Sequence, residues 1–121
     1  MPSAVSLHRW DEIALEKVTE MISRKIVCGD REMLAQIYLK RGALVPMHAH
    51  ESEQMTYILQ GALRFLIAGE EIIVREGEVL HIPSRLPHQS EALEDTLELD
   101  VFSPIRGDWI DMTDGEQAAV D

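Results

Sequence analysis

The stretch Gly42-Ala-Leu-Val-Pro-Met-His48-Ala-His50-Glu-Ser-Glu-Gln54-Met-Thr-Tyr-Ile-Leu-Gln-Gly61 decides how the chain is read. Two imidazoles stand two residues apart in an apolar run. On a strand, residues i and i+2 point to one face, so His48 and His50 are expected to reach one point. Gln54 follows at the start of the next strand. A second stretch, Gly77-Glu-Val-Leu-His-Ile-Pro83-Ser-Arg85-Leu-Pro87-His88-Gln-Ser-Glu-Ala92, brings a third imidazole, His88, after a proline-bounded turn. Three imidazoles and an amide oxygen can hold one borderline divalent ion and leave positions open for a ligand. Zn, Ni, Fe, Mn and Co all suit such a set. Gln54 is neutral, so the ion would keep its full double charge. It would be a strong Lewis acid and anchor for anions, less suited to high oxidation states.

Outward from these stretches the pattern repeats: short apolar segments cut by Gly, Pro and acidic turns. Strands are expected over Val18 to Cys28, Met33 to Leu39, Gly42 to His50, Gln54 to Leu59, Leu63 to Ile67, Glu71 to Val74, Val79 to Ile82, His88 to Ala92 and Thr96 to Phe102. Pro46 marks an edge or bulge within the third. Ala68-Gly69-Glu70 reads as a hairpin turn. Helical turns are expected only around Trp10 and from Asp108 to Ile110. Regular strand spacing without a long helix predicts an all-β sandwich or barrel. One domain over residues 1–121 is the simplest partition, with a core from about 18 to 104 and an acidic tail at 113–121.

Composition narrows the function. The 121 residues suffice for one core, and the 45% hydrophobic share is that of an ordinary globular chain. Twenty-two acids against 11 bases give a formal charge of −11, which repels phosphate backbones and argues against nucleic acid. No apolar run approaches a membrane span, and no secretory segment is visible. A lone cysteine, Cys28, excludes an intrachain disulfide and fits the cytoplasm; it reads as a buried small hydrophobe. His8 is expected to be exposed, His81 packed and hydrogen-bonded, and Arg64 and Arg75 on a solvated face.

The segment Leu99-Asp100-Val-Phe102-Ser-Pro104-Ile-Arg106-Gly-Asp108-Trp109 forms a second constellation. Asp100 and Phe102 share one strand face, and a buried Asp needs a partner. Pro104 ends the strand, so Arg106 can fold over the barrel mouth. One reading makes Asp100 a general acid/base, Phe102 a wall for a carbon skeleton and Arg106 a two-pronged carboxylate clamp. The other is an Asp100–Arg106 salt bridge closing the barrel, with Phe102 as core.

The two histidine stretches resemble the paired motifs of the cupin superfamily. The first matches at every spacing, with Gln54 where Glu is usual. The second has Arg85 in place of a glycine and Ala92 where Asn is usual. The resemblance implies a double-stranded β-helix, that is, a jelly-roll barrel, and dimers formed by strand exchange, for which Val18 to Cys28 could serve. From Trp10 to Trp109 the chain also looks like the KdgF family of pectin-degradation cupins. The matching stretches are Ile22-Ser-Arg24, Met33-Leu-Ala35, the ligand set and above all the Leu99 to Trp109 segment. That resemblance implies a redox-neutral enzyme that opens 4,5-unsaturated uronates, small anionic sugar acids from pectin or alginate, to the linear 4-deoxy-5-keto form. It places metal ligands on His48, His50, Gln54 and His88, and functional residues on Asp100, Phe102 and Arg106. A cupin dioxygenase or isomerase on another small carbonyl acid, and a non-catalytic sugar-binding cupin, are the alternatives.

Overall fold

Strands form where apolar residues alternate with polar ones, and turns where Gly, Pro or a hydroxyl residue interrupts them. The computed structural model describes residues 4–111. A 3₁₀ turn, Trp10–Glu12, precedes β1 (Glu16–Lys17), β2 (Ile22–Cys28), β3 (Met33–Leu39), β4 (Leu44–His48) and β5 (Glu53–Gln60). The chain continues through β6 (Ala62–Ile67), β7 (Glu70–Arg75), β8 (Val79–Ile82), β9 (His88–Ala92), β10 (Thr96–Ser103) and a short helix, α1 (Gly107–Asp111). These strands make a six-stranded sheet in the order β1-β2-β3-β10-β5-β8 and a four-stranded sheet in the order β4-β9-β6-β7. Every pairing is antiparallel. The jelly-roll expected from the sequence is the fold that forms.

The period of two selects the inner face. In β3, Met33, Ala35, Ile37 and Leu39 are buried, and in β5 the buried residues are Gln54, Thr56 and Ile58. Ile58, Ile82 and Phe102 from one sheet meet Leu63, Phe65, Ile67 and Ala92 from the other in a single apolar cluster. Each such large side chain contributes about 1.5–3 kcal/mol on burial. Gly61 joins β5 to β6 with φ +94, and a Cβ there would lie 2.5 Å from the Asp95 carbonyl oxygen. That close approach demands glycine.

Three expectations change. The extended run from Val18 is broken, because the Val18 and Thr19 amides both donate to the Ile22 carbonyl and the Thr19 hydroxyl accepts from the Met21 amide. A hydroxyl that competes for main-chain groups favours a turn. Cys28 is exposed rather than buried, at the rim where β2 ends before Gly29. His81 points outward from the edge strand β8 while Ile82 points in; it is hydrogen-bonded, to Glu53 at 2.6 Å, but not packed. Within Val18 to Cys28, the segment offered for strand exchange, Ile22–Cys28 pairs with β3 of the same chain. The acidic tail at 113–121 lies outside the described residues. His8 and Arg75 are exposed, and Arg64 pairs with Glu71 and Glu91, as a solvated strand face requires. Among the described residues no helix is long and apolar enough to cross a membrane.

Candidate metal centre and its acidic wall

Three imidazoles converge at one end of the barrel. His48 ends β4, and His88 opens β9 directly across from it in register. A register shift between Val45 and His48, around Pro46, is the bulge that the proline announced. His50 is not on the strand. It sits in the loop between β4 and β5, so loop geometry rather than the pleat brings it to the others. The ring centroids are 4.4 Å apart for His48 and His88, 5.0 Å for His50 and His88 and 5.4 Å for His48 and His50. One ring nitrogen of each lies within 4.8 Å of the other two, an arrangement that can hold a single metal ion.

The hydrogen bonds fix which nitrogens converge. Each Nδ1 meets a carbonyl two residues away: Pro46 for His48 at 2.8 Å, Ser52 for His50 at 2.9 Å and Leu86 for His88 at 2.8 Å. A carbonyl only accepts, so each Nδ1 carries the proton and each Nε2 presents a lone pair. Nε2 of His88 is buried with no hydrogen-bond partner among the described residues. Burial holds all three rings below the usual histidine range, His88 to about 4, so the lone pairs are not protonated near neutrality. The loop that carries His50 is tied down by Arg85, whose amide donates to the His50 carbonyl at 2.7 Å. Arg85 has φ 66, the left-handed conformation that glycine supplies in the motif.

Gln54 completes the set by the same logic. Its Nε2 donates to the Thr56 hydroxyl at 2.8 Å, which turns Oε1 toward His50 Nε2, 3.1 Å away. With Nδ1 of His50 committed to Ser52, that contact sets two lone pairs against each other. A cation between them removes the conflict. An orphaned Nε2 on His88 and opposed lone pairs on His50 and Gln54 are what a divalent ion would satisfy.

The opposite wall is acidic. The Thr56 hydroxyl donates its own hydrogen bond to Asp100 Oδ1 at 2.8 Å. Asp100 and Glu98 are 3% and 5% exposed and neighbours on the inner face of β10. Burial raises Asp100 to about 6, against hydrogen bonds from Glu98 and Thr56 and the charge of Arg106, which lower it. Glu98 is raised well above the usual range, first by burial and then by the charge of Asp100. Thr56 therefore links Gln54 on the imidazole side to Asp100 on the carboxyl side.

Arg106 lines the cavity at this site and is 5% exposed. It does not bridge to Asp100. It makes a fork to Asp108, Nη2 to Oδ2 at 2.7 Å and Nε to Oδ1 at 3.3 Å. Its guanidinium lies 4.4 Å from the Trp109 ring centre and 5.3 Å from that of Phe102. Phe102 belongs to the core and also stands edge-on to His50 at 5.7 Å. A cavity of about 360 Å³ opens between these groups, lined by His48, His88, Gln54, Asp100, Phe102 and Arg106. It also reaches Glu98, Ser90 and Arg24, to which the sequence assigned no role, the last 4.2 Å from the Trp109 ring centre and bonded to Glu16 at 2.8 Å. Extending the period of two backward from Asp100 would have found Glu98. Thr56 left no such signal.

Comparison with known proteins gives the family. The cupin domain family matches residues 36–105. The chain is 29% identical over 103 residues to the pectin degradation protein KdgF of Dickeya dadantii, covering 83% of this chain and 94% of that one. It is similar to the solved structure of KdgF from Halomonas sp., at 34% identity and TM-score 0.80, covering 86% of this chain and 99% of that one. A more distant likeness, 31% identity over 84 residues, is to the oxalate decarboxylase OxdC of Bacillus subtilis, of which it spans 22%.

Proposed function

Since the chain belongs to the cupin family, we propose that it is a metal-dependent enzyme that opens 4,5-unsaturated uronates to the linear 4-deoxy-5-keto form. The observation that carries this reading is the shared cavity. His48, His88 and Gln54, which cluster with His50, line it together with Asp100 and Arg106. The likeness to KdgF proteins supplies the substrate class.

His48, His50, Gln54 and His88 would hold one divalent ion. When bound, the ion supplies Lewis-acid stabilisation of negative charge on substrate oxygen. Arg106 binds the substrate carboxylate through its planar fork, taking over from Asp108, an exposed partner that can swing away. Phe102 and Trp109 wall the cavity and exclude water from the ring. Asp100, raised to about 6, is an anion at neutral pH yet basic enough to take a proton and acidic enough to return it.

The reaction needs one proton moved twice. Asp100 takes the proton of the C1 hydroxyl while the bond from C1 to the ring oxygen breaks. The O–H pair becomes the C1 carbonyl, and the ring-bond pair stays on oxygen as the C5 enolate. The carboxyl then returns the proton to C4, where the C4–C5 π pair forms the new C–H bond and leaves a ketone at C5. Nothing is gained or lost, so the product is an isomer and no oxidant is needed. The neutral Gln54 suits such redox-neutral electrostatics better than oxygen chemistry.

The test follows the absorbance of a freshly made 4,5-unsaturated uronate with metal-loaded and EDTA-stripped protein. Metal-dependent loss, with a linear keto acid formed and no oxygen consumed, is expected. Decay at the spontaneous rate with metal bound would overturn the substrate assignment and turn attention to other small carbonyl acids.

A further inference from the structure

Glu98 is not needed by the steps above, yet it sits where no ordinary carboxylate would. It lies two residues before Asp100 on the inner face of β10, 5% exposed, and lines the same cavity. Its register partners are Ile37 on β3 and Ile58 on β5, whose side chains offer no donor. Its Oε1 has no hydrogen-bond partner among the described residues. Its carboxyl instead hydrogen-bonds that of Asp100. Two carboxylates cannot bond to each other; one must keep a proton.

The surroundings decide which. Asp100 receives the Thr56 hydroxyl and lies in the field of Arg106, both of which favour its anion. Glu98 faces Ile58 on one side and Ile37 on the other. Arg24, on β2, is in line beyond Ile37, with its Nε on Glu16 and its guanidinium over Trp109. From the facing sheet the cavity is lined by His48, His88 and Ser90, with both imidazoles held neutral by burial. A negative charge on Glu98 would face apolar side chains with Oε1 bare, the costly case for a buried ion.

We propose that Glu98 is a proton-holding positioning residue, a carboxylic acid that stays protonated at neutral pH and donates its hydrogen bond to Asp100. The two carboxyls then share one proton at rest. Asp100 is fixed as the anion, gripped by two donors, with its remaining lone pairs left for substrate. When Asp100 takes the substrate proton the pair holds two, and the second leaves to C4, so the pair returns to its starting state. The proposal deepens the ring-opening reading, on which the role of Asp100 rests. The shared proton itself can be measured without any substrate.

The experiment is a pH titration of side-chain carboxyl carbons by ¹³C NMR on zinc-loaded full-length protein, comparing wild type, Glu98→Gln, Glu98→Ala and Asp100→Asn. The resonance lost in Glu98→Gln should remain at its protonated shift through neutral pH in wild type. The resonance lost in Asp100→Asn should titrate near about 6. In Glu98→Ala, with the donor gone, the Asp100 midpoint should move upward; in Glu98→Gln the amide N–H should restore it. The acid limb of the kcat/KM profile should follow these midpoints with KM little changed. A Glu98 carboxyl that ionises in the ordinary carboxylate range overturns the proposal, as does an Asp100 midpoint unmoved in Glu98→Ala. If Glu98→Ala does not fold, the wild-type Glu98 titration alone decides. If the uronate is not the substrate, the titration still reads the pair, so the two failures are distinguishable.

Discussion

The two walls of the cavity are built by opposite means. On the imidazole wall every ring is anchored locally, its Nδ1 bonded to a main-chain carbonyl two residues away. On the carboxyl wall the anchor is long-range. Thr56 comes from β5, Asp100 and Glu98 from β10, and the bond from Thr56 to Asp100 that joins the strands spans 44 residues. The first wall holds neutral rings whose lone pairs are preset, as a metal centre requires. The second holds acids whose protons are set by one another. Binding and proton transfer should therefore separate under mutation.

The largest effect expected is on the imidazole wall. His88→Ala removes the most buried of the three rings and should drop metal content from about one ion per chain to near none, read by elemental analysis. Retention of a full complement of metal would break the contrast between the walls. Asp100→Asn should keep the metal and lower kcat by about 10²–10⁴-fold, the range for a lost acid/base group. Loss of metal in that variant would show that the walls are one unit. Thr56→Val removes the hydroxyl that links them. It should lower metal affinity by about 10–100-fold, as loss of a group that orients a ligand does, and free Asp100 to rise further above its usual range.

Two smaller effects sharpen the comparison. In wild type, kcat/KM should rise with pH through about 6 as Asp100 ionises. Stability should run the other way. A carboxyl whose folded value is raised is protonated in the folded chain at pH values where the unfolded chain has already lost the proton. Its stabilisation is complete below the unfolded value, about 4, and is lost as pH rises through about 6. Thermal melts of Asp100→Asn should show a flatter loss across that window. The smallest change is expected from Asp108→Asn, which takes the charge off the exposed partner of the buried Arg106. KM for an anionic substrate should fall modestly, with kcat little changed.

The same contrast explains what the sequence disclosed. Strand alternation and turn residues report local structure, so β3, β8 and β9 were legible to the residue. The cluster of three histidines was legible because motif spacing is local, although His50 reaches it from a loop rather than by the pleat. Pairings across the barrel were not. From the residues alone Asp100 and Arg106 read first as a salt bridge, and as a catalytic set only through the family resemblance. Only the fold shows that Arg106 turns to Asp108 while Asp100 is held by Thr56 and Glu98. Cys28 and His81 were misplaced because an apolar run does not say which of its residues face in, nor where a strand meets the rim.

The most direct test is stereochemical. Metal-loaded enzyme would open a 4,5-unsaturated uronate in deuterium oxide, and early product would be read by proton NMR at C4. A single carboxyl facing one side of the ring should deliver deuterium to one of the two C4 positions, and Asp100→Asn should lose that preference. Equal labelling of both positions by the wild-type enzyme, or undiminished selectivity in Asp100→Asn, would contradict proton transfer from the carboxyl wall.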